Sequence, residues 1–483
     1  MRSSNPRSFL SGLAVLMLAL ALSGCETVAP NSAVPIPTAY RAGPSGPSAP
    51  LRQDWVTGFG SPELNGLVAA ALAENLDIEA AVARIGEAEA QAVIAGSALF
   101  PTLGGTGDVS RAQGSSAGRP GGGGAVAANR FGLGLTASYE LDLFGRNRFA
   151  AGAADETARA ARFDRDTVAL ATVASVANTY FALLSAQDRL RLGEENLRIA
   201  NRVLEAVQGR LRVGTGTALD TAQQESVVAT QRARIPPLVQ QVGQTRNVLA
   251  VLLGRTPQSV MVRGGSLDRL RVPPVRPGLP SELLLRRPDI AAAESNLAAT
   301  ELSIASARAA FFPSIQLTGS GGVQSAALRS LFGPNAFVYS VAAGLTQPLF
   351  DGYALQGQLD LQRGRAAEFA ALYRRAIVQG LSDVENALIA VRQNTEFERR
   401  QREAVAASRR ALTIVENQLT QGTIDVVTLF TVQTTLFNAQ DALVQARLLR
   451  VQAVVSLFQA LGGGWTQDRA VPLGRIPQPG TAP

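Results

Sequence analysis

The sequence lacks the side chains on which many enzymes depend. It contains no histidine and a single cysteine in 483 residues, and all 45 basic residues are arginine, so lysine is absent as well. Without lysine, no side chain can reach the β- and γ-phosphates as in a Walker phosphate loop. Without histidine or a second cysteine, zinc fingers, zinc protease sites and Ser-His-Asp or Cys-His catalytic sites are excluded. Carboxylates are numerous, but no spacing singles out a catalytic pair, and we predict that the protein is not an enzyme.

The excess of positive charge is small for a chain of this length. The 45 arginines face 38 acidic residues, which gives a formal net charge of +7. No stretch shows the clustering of basic residues that nucleic-acid binding requires. We therefore predict no nucleic-acid partner, and we interpret arginine-rich stretches such as residues 399–402 as solvated helix faces.

The single cysteine closes an N-terminal targeting signal. Two arginines precede a leucine- and alanine-rich run over residues 9–22, which ends in Leu-Ser-Gly-Cys at 22–25. This length suits a secretory signal and is short for a membrane-spanning helix. The motif resembles the lipobox of bacterial lipoproteins, in which the thiol is acylated and becomes the new N-terminus. We therefore expect a covalent lipid on Cys25 and no other cofactor or metal.

The residue after the cysteine indicates the destination. Retention in the inner membrane usually uses aspartate at this position, whereas the chain has Glu26. Two or three acyl chains hold a protein on a membrane stably, where one would not. We therefore expect a lipid-anchored protein of the outer membrane. The alternative is a thiol that lies near a signal sequence by chance.

The chain contains an internal duplication. Asp77-Ile78 in the first half matches Asp289-Ile290 in the second, and a proline follows each at the same distance. Further pairs recur at similar offsets: Leu143-Phe144 with Leu349-Phe350, Gly214-Thr215 with Gly422-Thr423, and Leu253-Gly254 with Leu461-Gly462. Such matched spacing indicates two copies of one structural unit.

The duplication divides the chain into six predicted segments. They are a lipoprotein signal peptide at 1–24, a lipid-anchored linker at 25–60, the first repeat at 61–256, a proline-rich joint at 257–280, the second repeat at 281–463 and a C-terminal tail at 464–483. Each repeat is predicted to contain a helix, a pair of strands and a long helical hairpin. The fold class is therefore α+β.

The hydrophobic period changes within each repeat. In residues 62–98, apolar side chains recur three and four positions apart, which predicts a helix. Beyond a glycine-rich loop at 121–124, apolar residues alternate with small or polar ones from Phe131 to Leu143, and the second repeat alternates similarly from Phe337 to Leu349. This pattern predicts strands with one apolar face, long enough to cross a bilayer when tilted.

Two interpretations of the strands remain open at this point. The first is a membrane β-barrel, in which aromatic residues near strand ends or on the apolar face would form a girdle at the membrane interface. The second is a soluble antiparallel sheet packed on helices. The girdle candidates are Phe131, Tyr139, Phe144, Phe337, Tyr339 and Phe350.

Very long helices follow each strand pair. Residues 147–213 contain no proline, and a continuous helix over this span would be about 100 Å long. A turn at 214–217 returns the chain into a second helix, and residues 356–421 and 426–461 repeat the hairpin. Such long periodic segments favour coiled-coil packing over a compact core.

Four strands cannot close a membrane barrel by themselves. An open sheet edge in lipid leaves N–H and C=O groups unsatisfied, at several kcal/mol each. Three copies would supply about twelve strands and leave a water-filled lumen, whereas eight strands leave an interior filled by side chains. We therefore predict a homotrimer with a shared 12-stranded barrel, continued below the membrane by a helical barrel.

Several motifs resemble one protein family. The run from Leu279 to Ile290, followed by Ala293-Glu294 and Leu297, resembles the hallmark of TolC/OprM-type outer-membrane efflux lipoproteins, in particular the NodT-like branch of the outer-membrane factor family. Further similar motifs are Tyr139-Glu140-Leu141-Asp142-Leu143-Phe144-Gly145, Pro348-Leu349-Phe350-Asp351-Gly352 and Asp383-Val384-Glu385. The resemblance covers roughly Trp55 to Gly464.

The resemblance implies a trimeric channel-tunnel with a β-barrel in the outer membrane, an α-helical barrel through the periplasm and a mixed equatorial belt. It implies partnership with a periplasmic adaptor protein and an inner-membrane transporter, commonly of the resistance-nodulation-division type. The channel itself is passive.

The resemblance also assigns the helical turns. The turns would converge at the periplasmic end, close the resting aperture and bind the adaptor. The candidate residues are Gly214, Thr215, Gly216, Thr217, Asp220, Gly422, Thr423 and Asp425. The glycines and threonines could instead serve only to bend the backbone, and Asp220 could be a helix N-terminal charge.

The second turn departs from the family pattern. Relatives often carry Asp-Ala-Gln-Arg after it, whereas this chain has Thr431-Val432-Gln433-Thr434. An anionic gate would therefore depend on Asp220 or Asp425. The overall expectation is an outer-membrane efflux channel for drugs or metabolites, with a conduit for type I protein secretion as the alternative. A periplasmic scaffold or adhesin without a lumen is disfavoured by the alternating strands.

Overall fold

The computed structural model describes residues 32–43, 54–113, 127–421 and 423–466. The predicted signal peptide, Cys25, the glycine-rich loop at 121–124, Gly422 and most of the predicted C-terminal tail lie outside these ranges.

The two repeats contain matching elements. The first comprises α1 (Pro62–Glu74), α2 (Leu76–Gly96), β1 (Thr102–Gln113), β2 (Ala127–Leu141), α3 (Arg146–Arg212) and α4 (Ala218–Leu252). The second comprises α5 (Pro288–Ala309), β3 (Ser314–Ser325), β4 (Phe337–Thr346), α6 (Ala354–Thr420) and α7 (Val426–Ala460). The long helices α3 and α6 both have 67 residues, and α4 and α7 both have 35. The predicted α+β duplication is confirmed.

The single helix predicted over residues 62–98 is wrong, because the chain breaks at Asn75. The side-chain Oδ1 of Asn75 accepts hydrogen bonds from the backbone N–H groups of Asp77 (3.0 Å) and Ile78 (3.1 Å), which caps α2. Its Nδ2 donates to the Leu252 carbonyl at 2.8 Å. Nearby, a Cβ on Gly254 would lie 2.0 Å from the Glu74 carbonyl oxygen. The break therefore ties α1 and α2 to the end of α4.

The strands form one antiparallel sheet in the order β1-β2-β3-β4. The register brings apolar residues of neighbouring strands into common rows. Leu133 pairs with Val323, which pairs with Phe337, and Leu141 pairs with Ile315, which pairs with Leu345. Rows on the other face are polar or small, for example Thr136, Ser320 and Ser340. The predicted division into an apolar and a polar face is confirmed for these rows.

The sheet has two unpaired edges within one chain. β1 and β4 are exposed along their whole length. The strands are shorter than the alternation suggested, because β2 ends at Leu141 and β4 at Thr346. Leu143 and Leu349 therefore lie beyond the sheet, and both are exposed.

The largest hydrophobic core lies midway along the helices. It joins Trp55 and Phe59 to Phe181 of α3, Leu249 of α4 and Phe458 of α7. Trp55 and Phe458 stack with ring centroids 4.7 Å apart. Within the described residues, α3 is the helix long and apolar enough to cross a membrane by length and composition, but half of that stretch is buried.

A second layer of chain covers one side of this core. We call residues 54–74 and 257–285 the belt. Glu63 accepts hydrogen bonds from the N–H groups of Arg263 (2.8 Å) and Gly264 (3.1 Å), which joins the two halves of the belt. The Asp188 carboxylate of α3 accepts the Leu267 N–H at 2.9 Å. The belt is thereby fixed to the long helices.

The second hairpin is a coiled coil below the belt. Leu429, Leu436 and Leu443 of α7 recur every seventh position and pack with Val405 and Leu412 of α6. A repeat of seven keeps one apolar stripe facing the partner helix. The predicted coiled-coil packing is confirmed for this hairpin.

Candidate functional site

The first predicted turn is built around one carbonyl. α3 ends at Arg212, and Gly214 has a φ of 77°, in the left-handed region that favours glycine. The N–H groups of Thr215 and Gly216 donate to the Arg210 carbonyl at 2.9 and 3.2 Å, and the Thr215 hydroxyl donates to it at 3.2 Å. A Cβ on Gly216 would lie 3.2 Å from the Leu211 nitrogen. The turn is therefore closely packed.

Thr217 and Asp220 begin the return helix α4. The Thr217 hydroxyl accepts the Asp220 N–H at 3.2 Å, and the Asp220 carboxylate accepts the Thr217 N–H at 2.9 Å. This reciprocal arrangement is a capping box, which satisfies two free amides at the helix start. The interpretation of Asp220 as a helix N-terminal charge is confirmed.

The second turn uses a different cap. The Thr423 N–H and hydroxyl donate to the Gln418 carbonyl at 3.1 and 3.0 Å. Asp425 precedes α7 and accepts the Thr428 N–H at 2.8 Å. Hydrogen bonds from the Thr428 side chain and backbone hold the pKa of Asp425 below its ordinary value.

These contacts bear on the predicted anionic gate. Both Asp220 and Asp425 are engaged within their own turns, and both are exposed or partly exposed. Thr431, which replaces the aspartate of relatives, donates its hydroxyl to the Val427 carbonyl at 3.0 Å. A role of these turns in closing the aperture or in binding an adaptor stays a prediction.

The two turns lie side by side in one chain. Val207 of α3 packs with Val426 and Phe430 of α7, and Val227 of α4 and Leu419 of α6 pack against them. All four long helices therefore contribute to one apolar cluster just above the turns. The structure therefore brings the two turns of one chain to the same end of the helices.

Above this cluster, the contact between the two hairpins becomes polar. We call the facing sides of α3, α4 and α7 the inter-hairpin seam. Gln224 and Gln433 are completely buried there. Gln224 donates to the Ala200 carbonyl at 2.7 Å, whereas both polar atoms of Gln433 lack a hydrogen-bond partner among the residues that the structure describes. Buried amides without partners are uncommon in folded proteins.

An ion pair crosses the seam further from the turns than these glutamines. Arg189 of α3 binds the Asp441 carboxylate of α7 through Nε at 2.6 Å and Nη2 at 3.3 Å. Arg189 also donates to Gln241 of α4 at 3.3 Å, and Gln445 donates to Asp441 at 2.6 Å. The pair is bidentate, which fixes its geometry. It links the first hairpin to the second.

Sequence reasoning missed this seam. Gln224 and Gln231 in α4 are seven residues apart, and so are Gln433 and Gln440 in α7. Recurrence of glutamine at the heptad spacing in both repeats is the signal that could have identified it. A single glutamine in a helix is usually on the solvent side and gives no such signal.

The remaining predictions concern residues of other regions. Cys25 and Gly422 lie outside the described residues. Phe337, Tyr339 and Phe350 of the predicted girdle are exposed by 67%, 77% and 85%, whereas Phe144 stacks on Phe312 at 4.7 Å. In the ranges that the structure describes, no group of three acidic, histidine or cysteine residues is placed to hold a metal ion.

Two curated proteins resemble the chain over nearly its whole length. It is 38% identical to the pyoverdine export outer membrane protein OpmQ of Pseudomonas aeruginosa, covering 95% of this chain and 98% of OpmQ. It is 32% identical to the antibiotic efflux pump outer membrane protein ArpC of Pseudomonas putida, covering 94% of this chain and 96% of ArpC.

A solved structure has the same fold. The crystal structure of the open state of the MtrE outer membrane channel of Neisseria gonorrhoeae matches with a TM-score of 0.82 at 31% identity, over 91% of this chain and 98% of MtrE. The fold is thus that of a trimeric channel-tunnel, in which three four-stranded sheets share one barrel.

A family model described as outer membrane efflux protein matches residues 67–255 and 279–463, one segment in each repeat. Together the segments cover most of the chain, and the relatives and the solved structure agree with the match in fold and location. The chain belongs to the outer membrane efflux protein family.

Proposed function

We propose that three copies of this chain form a passive exit duct for small molecules, either drugs or metabolites, in the outer membrane. A periplasmic adaptor and an inner-membrane transporter of the resistance-nodulation-division type would deliver these solutes to the turns at the periplasmic end. The lipid on Cys25 would anchor each copy in the membrane. The chain would contribute no chemistry of its own.

The observation that carries this proposal is the register of the sheet. It segregates apolar rows such as Leu133, Val323 and Phe337 from polar rows such as Thr136, Ser320 and Ser340. A sheet that faces lipid on one side and water on the other is what a membrane channel requires. The names of OpmQ and ArpC support small molecules as the transported class, since one exports pyoverdine and the other antibiotics.

Accumulation of a fluorescent efflux dye tests the function. Cells that lack the protein should retain more dye than the same cells complemented with it, with outer-membrane expression confirmed by fractionation. Equal retention for several dyes of different charge, together with loss of a secreted protein in the deletion strain, would replace efflux by type I secretion.

A pair of neighbouring substitutions tests the orientation of the sheet. Leu135 lies on the apolar face and Thr136 on the polar face of β2. Leu135→Arg should cost roughly 2–4 kcal/mol near the bilayer centre and reduce the yield of trimers. Thr136→Arg should leave the yield unchanged, because it enters the aqueous side. Equal yields for the two variants would contradict the barrel assignment.

Another matched pair tests adaptor binding at the first turn. Gly214→Ala places a side chain at a positive φ, at a cost of roughly 1–2 kcal/mol. Gly209→Ala is the control, because Gly209 lies within the right-handed helix α3, where alanine fits the backbone without strain. We expect Gly214→Ala to weaken cross-linking to the adaptor while trimers still form. Identical cross-linking in both variants would count against the turn as the docking site.

The lipid anchor has a direct test. Replacing Cys25 by Ala should release the protein from outer-membrane fractions on washing, or leave it bound less firmly, while trimers remain detectable. Incorporation of labelled palmitate should be lost at the same time. Labelling that persists in Cys25→Ala would exclude this residue as the acylated position.

A further inference from the structure

A cavity of about 450 Å³ lies in the inter-hairpin seam. α3, α4 and α7 all contribute to its lining, so it belongs to one chain and contains groups from both hairpins. The polar lining residues are Arg189, Asn196, Gln231, Arg234, Gln241, Asn438 and Asp441. Leu192, Leu238 and the fully packed ring of Phe437 form an apolar wall.

The cavity contains unsatisfied hydrogen-bonding capacity. Asn196 is only 6% exposed, and its Oδ1 has no hydrogen-bond partner within the described part of the chain. Gln231, on the facing helix, is only 3% exposed. Leaving a buried acceptor unpaired costs about 1–3 kcal/mol. A ligand that donates a hydrogen bond to Asn196 would recover this free energy.

The charges lining the cavity do not balance. Arg189 is paired with Asp441 through two hydrogen bonds. Among the described residues, Arg234 has no carboxylate within ion-pair distance, and its Nη1 donates to the Asn438 amide oxygen at 3.4 Å. The lining therefore carries one excess positive charge. Arginine can bind a carboxylate through two parallel hydrogen bonds.

The cavity opens on the side of α3 that faces away from the belt. The belt contacts α3 at Gln187, Asp188 and Arg191, whereas Arg189 and Asn196 line the cavity. At 100° per residue these two sets lie on opposite sides of the helix. In a tube built from these helices, a second layer on the inner side would obstruct passage, so a site opposite the belt would face the conduit.

We propose that this cavity is a binding site within the conduit for small monoanions that also carry hydroxyl or amide donors. The carboxylate of such a solute binds Arg234, and one of its donors forms a hydrogen bond with the Asn196 Oδ1. The site favours these solutes over neutral or purely aliphatic ones during their passage. The assignment rests on the proposed function in that it names a class of transported solute.

Saturation-transfer NMR on purified, detergent-solubilised trimers tests the site. Gluconate is a suitable probe, because it combines one carboxylate with several hydroxyl groups. Acetate carries only the charge, and glucose only the hydroxyls. We expect gluconate to bind at least about tenfold more tightly than either, since each lacks one set of charge-assisted or neutral hydrogen bonds. Equal binding of acetate and gluconate, or no binding of gluconate, would overturn the proposal.

Matched variants locate the binding. Arg234→Gln removes the unbalanced charge, and Asn196→Leu removes the unpaired acceptor. Arg232→Gln changes an exposed arginine of the same helix outside the cavity. We expect about tenfold weaker gluconate binding in Arg234→Gln and unchanged binding in Arg232→Gln. If Asn196→Leu fails to assemble, the two arginine variants still test the site. Equal gluconate binding by Arg234→Gln and Arg232→Gln would refute it.

This result is separable from the proposed function. Gluconate binding to purified trimers requires neither pump nor adaptor. If gluconate binds but the protein has no effect on dye retention, the binding site is supported and the efflux function is refuted. Normal efflux by a protein that does not bind gluconate would reject the site alone.

Discussion

The two helical hairpins have the same dimensions and different interiors. α3 and α6 have 67 residues each, and α4 and α7 have 35 each. α7 packs between α6 and α3 and buries Leu429, Phe437 and Val455 among many others. α4 lies at the margin of the chain and packs mainly on α3. Helix length is thus preserved between the repeats, whereas burial is not.

The return helices also differ in backbone chemistry. α4 contains Pro236 and Pro237 in its interior, and α7 contains no proline. A proline inside a helix removes a hydrogen bond to the carbonyl four residues earlier and disfavours the regular geometry. α7 has an apolar heptad repeat that packs on α6 and buries one glutamine, Gln433, whereas the fewer buried positions of α4 include two, Gln224 and Gln231. We infer that the second hairpin is the more rigid of the two.

The largest loss of stability should come from the apolar heptad contact between α6 and α7. Leu436→Ala removes a side chain that is 4% exposed and should reduce the free energy of local unfolding by about 2–5 kcal/mol. The corresponding residue of α4, counted from the helix start, is Val228. Val228→Ala removes one carbon fewer, and at about 0.8 kcal/mol per buried carbon it should cost less.

Hydrogen exchange over residues 426–460 and 218–252 measures these two costs separately. Exposed Val427 provides a control, since Val427→Ala should change exchange by no more than about 0.5 kcal/mol. A larger loss of protection for Val228→Ala than for Leu436→Ala would reverse the inferred order of rigidity.

Exchanging proline between the return helices should give the next largest effect. Gln445 of α7 corresponds in position to Pro237 of α4 and is exposed. Gln445→Pro should destabilise α7 by about 3 kcal/mol relative to Gln445→Ala. Pro237→Ala should act in the opposite direction and slow amide exchange in α4. Unchanged exchange in Pro237→Ala would show that packing on α3 already compensates for the missing hydrogen bond.

The comparison also shows which features can be predicted from sequence. The long helices were predicted within one or two residues, because 147–213 and 356–421 lack proline and end at glycine-containing turns. The faces of the sheet followed from period-two alternation, which has only two registers. Neither prediction required knowledge of distant contacts.

Features that depend on distant partners could not be predicted. The cap at Asn75 is local, but the bond that ties this break to the end of α4 is made to the Leu252 carbonyl, far along the chain. The inter-hairpin seam depends on the pairing of Arg189 with Asp441, which helical periodicity does not specify. The capping role of Asp220 was visible as a local alternative, because a capping box spans only four residues, whereas Thr217 was interpreted only as a residue of the turn.

A smaller effect is expected at the caps of the return helices. Thr217→Ala removes the side chain that caps α4 and should cost about 1 kcal/mol, with a range of roughly 0.5–2 kcal/mol. Thr217→Ser retains the hydroxyl and should behave like the wild type. Exchange of the amides in the first turn of α4 reports the change. Equal exchange in the alanine and serine variants would mean that the surrounding trimer, and not the cap, orders the turn.

The smallest predicted effect distinguishes the two caps by pH. The pKa of Asp425 is lowered in the folded chain. The stability that its ionised carboxylate adds to the start of α7 is therefore fully present above the ordinary aspartate pKa of about 3.9. It is lost as the pH falls through the lower folded value, when protonation weakens the bond from Thr428. Amide exchange over the first turn of α7, corrected for intrinsic rates, should therefore accelerate below about pH 4. Asp425→Asn keeps a good N-cap without a titrating group and should remove this dependence. The same acid response in Asp425→Asn would assign it to another carboxylate and leave the second turn without a charge-dependent cap.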